Sequence, residues 1–353
     1  MYSLKSRNNF FRDDQGAVAI ITALVLFFVL IGVAALAVDI GKSTTTKNEL
    51  QNAVDAAALA GARELGVQKD IGDADLTEII DAVKDSAKEA AFENYADNNR
   101  ILLVDADIEI GRWDESGFSS LGEGDQPNAV RVIRLGYEFT NFFARIFNIG
   151  TSSVGAEAIA ITGPSAGPAG ETRDLIPFAL TQTVANELQE QVDEGGEDLD
   201  RDIYFMFSPG DMLELAAGNW GTVNFDGPGA ANDKLTAWTR YGYNGSISYD
   251  DIIYTAPSAH VNSGPMLDAL DHRIREGEKL LVPIIDFVGE AALGSDEVIV
   301  KGFAAVTING REGRGANLVV EIQFHNIVHP GDIAPGGPDD NIDFGVRTVA
   351  LVK

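Results

Sequence analysis

One stretch constrains this chain more than any other: Ala17 to Val38, AVAIITALVLFFVLIGVAALAV, is apolar throughout except for Thr22. Helical rise carries these roughly 22 residues about 33 Å, enough to cross the hydrocarbon core of a bilayer. A single glycine, Gly32, and no proline interrupts it. The stretch predicts a membrane anchor, with Ala17, Leu26, Gly32 and Val38 marking its course. Lys5, Arg7 and Arg12 precede it, and Asp39, Lys42 and Lys47 follow it. The basic bias places the N-terminus in the cytoplasm and the bulk outside, since flanking acids contribute little to orientation. The competing reading is a cleaved signal sequence, because Ala35-Leu36-Ala37 has the small-x-small form of a cleavage site. The apolar run exceeds the roughly 7–15 residues of a signal core, which favours a retained anchor.

The rest of the chain has ample means to fold. Its 353 residues leave room for two modest domains beside the anchor, and 45% apolar residues support a core. The net charge of −28 repels nucleic acid, which needs clustered Lys and Arg, and is the mark of a well-hydrated exterior. There is no cysteine, so disulfides, thiolate metal sites and cysteine nucleophiles are excluded.

Periodicity then divides the chain. Thr46 and Glu49 have capping-box spacing, so a helix restarts there or continues from the membrane. Leu50, Val54, Ala57, Gly61 and Leu65 fall on one face of it, and Gly66 is a natural stop. That alanine-rich face can pack on its own domain or on a partner helix. A second helix, capped by Asp75 and Glu78, follows through Leu76, Ile79, Ile80, Val83, Ala87, Ala90 and Ala91 and is expected to end near Asn98. Alternation predicts strands over Ile101–Asp105, Ala106–Arg112, Ala129–Tyr137 and Ser153–Thr162. The aromatic run Phe139–Phe147 is expected as a short helix docking on the sheet. GPSAGPAGE, Gly163–Glu171, reads as a linker. Beyond it, Leu175–Leu180 is an apolar run and Ile203–Phe207 a buried strand. Gly218–Gly229 mixes aromatic and turn residues. Leu267–Ile274 is helical, and Leu280–Val288 is a strand whose Pro283 suggests an edge or a strand start. Val298–Ile308 and Asn317–His325 form a hairpin, and Val346–Val352 a last strand. The expected organisation is a tail over 1–16, an anchor over 17–38, a helix-plus-sheet domain over 39–162, a linker over 163–171 and a β-rich domain over 172–353. The fold class is α+β.

The block from Gly16 to Gly66 resembles the N-terminal module of TadE/TadG-like proteins of Flp (tight-adherence) pilus systems. The carrying residues are Gly16 before the apolar run, Asp39 just past it, and LQNAVDAAALAG, with Leu50, Gln51, Ala53, Asp55, Ala57, Leu59 and Gly61. Looser likeness runs through Ile108–Trp113, Asn128–Val132, Phe143–Phe147 and Val154–Ala160. The second region is similar to C-terminal parts of TadG-related proteins at Gly218-Asn219-Trp220, Phe225-Asp226-Gly227, Val282–Asp286 and Gly302-Phe303-Ala304. The resemblance implies a bitopic envelope protein that helps to assemble or anchor a pilus. Two departures bear on this. Ile21 stands where pilins of the system carry a glutamate five residues after the processing-site glycine, which argues against a processed fibre subunit. No Asp-x-Ser-x-Ser motif of an adhesive metal-binding domain is present.

Catalytic and metal patterns are weak. His325 and His329 have i, i+4 spacing, but Asn326 occupies the place of a zincin glutamate and the context is strand-like. His260 and His272 have no evident partners. Asp332, Asp339, Asp340 and Asp343, like the acidic run Asp193–Asp202, read as solvated loops rather than a calcium site. Ser208 lacks a nucleophile elbow, and GREGRG at Gly310–Gly315 lacks the Walker lysine. Trp113, Trp220 and Trp238 read as core or interface aromatics. No catalytic residue, cofactor or metal is expected. The expected partners are the membrane and pilus-assembly or envelope proteins; the N-terminal helix also has room for a second copy, since Gly32, Ala34, Ala35 and Ala37 allow close approach. The alternatives are an anchored extracytoplasmic hydrolase and a surface protein released by signal cleavage.

Overall fold

The computed structural model describes residues 14–68, 76–122, 125–168, 173–182, 185, 204–207, 220–228, 232–256, 263–287, 297–313, 319–335 and 343–352. The architecture is α+β, with a long apolar helix at the N-terminus and a β-rich remainder.

Helix α1 runs unbroken from Asp14 to Val67, 54 residues, or about 80 Å. Its two halves have opposite environments. Val18 to Val38 are exposed apart from half-buried Ala35. From Leu50 onward, Leu50, Ala53, Val54, Ala57, Ala58, Ala62 and Leu65 are buried. No restart occurs at Thr46, which is buried in mid-helix instead of capping an end. Helix propensity from the alanines and the absence of proline allow the continuous rod. Helix α2, Leu76–Phe92, lies against it through Ile79, Val83, Ala87 and Ala91. It ends at Phe92, before the expected Asn98, because the chain turns into the small hairpin β1 (Tyr95–Ala96) and β2 (Asn99–Arg100). The hairpin turn, Asp97-Asn98, takes positive φ at both residues, the conformation a two-residue hairpin favours. The expected cap Asp75 lies outside the described residues.

The first sheet is built from β3 (Ile108–Asp114), β4 (Gly117–Ser120), β5 (Ala129–Thr140) and β6 (Thr151–Pro168). Ile101–Asp105 is not a strand. Ile101 and Leu103 are buried between exposed Leu102 and Val104, so the alternation is real, but among the described residues no strand pairs with it. Strand β6 continues through Gly163–Pro168, six residues of the expected linker. Small side chains there let two other segments approach: β15 (Gly331–Ile333) and β16 (Val346–Leu351) pair with this part of β6. The final strand of the chain therefore completes the first sheet, in the order β14-β16-β6-β5-β3-β4, where β14 is Ile327–Val328.

The second sheet comprises β7 (Phe178–Thr181), β8 (Tyr204–Phe207), β9 (Trp220–Asn224), β10 (Ile252–Thr255), β11 (Leu280–Phe287), β12 (Glu297–Glu312) and β13 (Val319–His325). Because β10 pairs with both β9 and β12, the strands β9, β7, β11, β12 and β10 close into a ring. Leu175, Ala179, Val223, Ile253, Leu281, Ile285, Val300 and Phe303 fill one side of it. The other side carries helices α3 (Asn232–Tyr241) and α4 (Gly264–Glu276), packed through Leu235, Met266, Leu267 and Leu270. Trp220 thus opens a strand inside a stretch expected as turns. Pro283 is not at an edge: β11 lies between β7 and β12, and Pro283 pairs with Phe303. Leu281 N–H donates to Asp174 O, so the amide side of Pro283 faces the same way. There the pairing is interrupted between the Leu175–Leu281 bridge and Ile284–Leu180, so no donor is missed. The β12–β13 hairpin forms as expected, with a bulge at Ile308–Gly310.

The two sheets meet where β6 ends. Gly167 has φ +151°, and a Cβ there would lie 2.4 Å from Ile247 O, so only glycine fits. Nearby, Arg347 donates to buried Asp343 at 2.7 and 2.6 Å, and Gly345 bridges Ala304 of β12. Asp343, expected in a solvated loop, is held by this pairing instead. Asp339 and Asp340 lie outside the described residues.

Candidate functional site

The apolar half of α1 has a mean hydropathy of 3.0 over its most apolar 18 residues, none of them buried. It is long and apolar enough to cross a membrane. Its exposure distinguishes it from a core helix, which would hide such a surface inside the protein. Leu26, Gly32 and Val38 lie on this exposed rod, and a Cβ at Gly32 would meet nothing within 4 Å.

Asp39 is the first residue past the apolar run, and it is only 8% exposed. What covers it is the loop between β5 and β6. The backbone N–H of Phe142 donates to Oδ1 at 2.8 Å, that of Phe143 to Oδ2 at 3.1 Å, and that of Ala144 to Oδ2 at 2.6 Å. These amides open the 3-10 turn Ala144–Phe147, so a carboxylate from a distant helix satisfies the donors that such a turn leaves free. Burial raises the carboxyl pKa. The three backbone N–H groups and the nearby Lys42 outweigh it, and the net shift is below the ordinary value of 3.8.

One turn further on, Lys42 closes the junction. Its Nζ donates to Thr140 O at 2.7 Å, pairs with Asp97 at 2.8 Å and sits 4.6 Å from the Phe142 ring centroid. Asp97 belongs to the β1–β2 turn, and its own N–H donates to Glu49 of α1. Two hairpin turns therefore grip α1 from Asp39 to Glu49. Together they form a collar at the level where the apolar run ends.

The loop is internally fixed. Asn141 Nδ2 donates to Ile149 O and Ser152 Oγ, and Asn148 takes φ +65° to end the turn. Only Ala144–Phe147 of the aromatic run forms a short helix, of the 3-10 type, and it does not dock its side chains on the sheet. Phe139 is buried as a strand residue, whereas Phe142, Phe143, Ile146, Phe147 and Ile149 are exposed.

Below the collar, the other motif residues share one seam. Leu50, Ala53, Ala57 and Gly61 face β5, β6 and α2, and Leu59 is half-buried beside them. The slim face is occupied by the chain's own elements, which decides between its two sequence readings. Gln51 Nε2 donates to Asp55 Oδ1 at 2.7 Å and to Glu157 O of β6 at 2.8 Å. Gly16 lies exposed near the start of α1. Charge proximity at the collar was not legible in the sequence: Lys42, Asp97 and Thr140 are far apart along the chain. The aspartate after the apolar run was the one visible signal.

The remaining candidates disperse. His325 Nε2 lies 2.7 Å from Thr307 Oγ1, and His329 Nε2 lies 3.7 Å from Asp174, so the pair does not converge. His272 lies 3.9 Å from Glu276. Among the described residues no group of three or more His, Asp or Glu is placed to hold a metal ion. His260, Ser208 and Asp193–Asp202 lie outside the described residues. Phe225, Trp238 and Tyr243 stack with centroids 4.7–5.6 Å apart, and the Tyr243 hydroxyl donates to Asp226 at 3.0 Å. Trp113 is half-buried on β3 beside Asn128. A cavity between the second sheet and α4, lined by Ile176, Phe178, Leu270, Val282, Val306 and Ile322 among others, has only apolar walls and no acid or base to offer a substrate.

None of the curated proteins and none of the solved structures matches the chain. Residues 16–64, from the glycine before the apolar run to the last buried turns of α1, match the family described as putative Flp pilus-assembly, TadE/G-like, so the likeness is confined to the first helix of the chain.

Proposed function

We propose that this chain is a non-enzymatic, single-pass protein of the bacterial cytoplasmic membrane that positions or anchors parts of a Flp/Tad-type pilus or secretion apparatus. Its N-terminus is cytoplasmic, and the two sheets stand outside. The observation that carries the reading is the unbroken α1: one helix holds both the exposed apolar half and the buried, family-matching half. A rod clamped into a folded body at one end and left bare at the other is suited to fixing that body at a defined height above a bilayer. Gly32, Ala34, Ala35 and Ala37 leave the bare half thin enough for close packing with another membrane helix, either a second copy or a pilus-assembly component.

The test is fractionation of cells expressing the full chain with a C-terminal tag, followed by protease treatment of intact spheroplasts. The expected result is full-length protein in the membrane fraction with the tag lost to external protease. A soluble product beginning near Val38 would show release by signal cleavage and overturn the proposal. Crosslinking from the outer body should then recover pilus-assembly proteins.

A further inference from the structure

The β5–β6 tip ends in a cluster of apolar side chains left largely uncovered among the described residues: Ile146 and Phe147 are about three-quarters exposed, and Phe142, Phe143 and Ile149 are 40–54% exposed. A soluble surface scatters such residues, and a contiguous group of five marks a binding surface. The charge pattern points the same way. In a chain of net charge −28, residues 139–151 contain no acid and a single base, Arg145. The opposite end of the same sheet, the β3–β4 turn, carries the exposed Asp114 and Glu115. Strand β5 runs toward the tip while its partner β3 runs away from it, so the two turns lie at opposite ends of the sheet.

The height of the tip relative to α1 is fixed by Asp39. Its carboxylate holds the amides of Phe142, Phe143 and Ala144, and the residue before it, Val38, is the last of the apolar run. Given the reading that Ala17–Val38 spans the bilayer, on which this inference rests, the tip stands at the lipid surface beside its own anchor. We infer that the Phe142–Ile149 tip is a second membrane contact, inserting Ile146, Phe147 and neighbouring apolar side chains among the lipid headgroups and upper acyl chains. Arg145 is placed to extend its guanidinium to lipid phosphates while its stem stays with the apolar group. Two links, through Asp39 and Lys42, hold the tip against the helix, and the bonds of Asn141 to Ile149 and Ser152 fix its own shape. The consequence is a two-point attachment that restricts rocking of the outer body about α1. A single helix would leave that motion free.

The chain has no cysteine, so single cysteines can be introduced without background. Full-length Phe147→Cys, Ile146→Cys, Glu115→Cys and Leu26→Cys variants would each be labelled with an environment-sensitive fluorophore and reconstituted into phosphatidylcholine vesicles. Labels at 146 and 147 should be quenched by aqueous iodide at least about threefold less than the label at 115. They should be quenched best by nitroxides placed high on the acyl chain, as expected for insertion about 5–10 Å deep. The label at 26 should respond most to nitroxides placed deep. If 146 and 147 are as open to iodide as 115 while 26 responds to deep nitroxides, the anchor stands and the second contact is refuted. If 26 is itself open to iodide, the anchor reading fails and the tip proposal falls with it. Protection of 146 and 147 from both quenchers would mean that protein, not lipid, covers the tip, and would also refute the proposal.

Discussion

Gly61 faces both α2 and the first sheet, and its replacement tests whether the family-like face of α1 docks as described. A Cβ at this position would lie 3.0 Å from Val130 Cγ1, 3.4 Å from Val83 Cγ1 and 3.5 Å from Ala87 Cβ. Gly61→Ala sets two terms against each other. Alanine improves helix propensity by about 1 kcal/mol, while Val130 must retreat by a few tenths of an ångström. The two roughly cancel, and Gly61→Ala should be within about 1 kcal/mol of the parent. Gly61→Leu adds three further carbons to a space already filled by Val130, Val83 and Ala87. Its helix propensity is no better than alanine's, so overpacking dominates and costs about 3 kcal/mol. At 2–4 °C per kcal/mol, that is a fall in Tm of roughly 6–12 °C. Thermal unfolding of the full chain in detergent, followed by circular dichroism, would read it. Val130→Ala removes the methyl that the new side chain strikes. The double variant should therefore recover part of the loss, a coupling that distant sites do not show. A Gly61→Leu protein as stable as the parent, or one whose effect simply adds to that of Val130→Ala, would refute this packing.

Three further outcomes follow from the geometry. Asp39→Asn should weaken the collar and increase protease cleavage in the β5–β6 loop. Because the folded carboxyl pKa is depressed, the parent should keep its protection above about pH 4 and lose it as pH falls through the lower folded value; a pH-independent parent would contradict the role given to the carboxylate. Arg347→Ala strands the buried Asp343 carboxylate between the sheets and should cost about 3–5 kcal/mol in thermal or urea unfolding, whereas a loss under about 1 kcal/mol would show that the pair is replaceable by water. Burial, with the hydrogen bond to and charge of Asp226, pushes the Tyr243 hydroxyl up to about 12. Ultraviolet titration should show late tyrosine ionisation that Tyr243→Phe reduces, and the stability Tyr243 lends should be complete below its ordinary value of 10.0 and lost as pH rises toward 12. A spectrum in which all tyrosines ionise together would oppose it.

The parts of this protein legible in its sequence are those set by local chemistry. The exposed apolar helix, long enough to cross a membrane, follows from a continuous run of apolar side chains, and helix α2 and the β12–β13 hairpin follow from periods that a helix face or a strand imposes. The family likeness rests on a contiguous block and needs no fold to be seen. Long-range pairing decided the rest. GPSAGPAGE has the composition of a linker, yet its first six residues are strand because β15 and β16, more than 160 residues further along, supply the partners. Pro283 breaks an edge-strand rule only because the neighbouring chain skips pairing opposite it. The run Phe139–Phe147 has the composition of a docked helix, but Asp39, more than 100 residues earlier, draws the amides of Phe142 and Phe143 into a turn and leaves Phe142, Phe143 and Phe147 outside. Sequence determines what each segment can bury. Only the tertiary structure decides which backbone groups find partners, because a hydrogen bond between distant segments has no local signature, and at the collar one carboxylate's choice of three amides sets where the protein presents its exposed apolar surface.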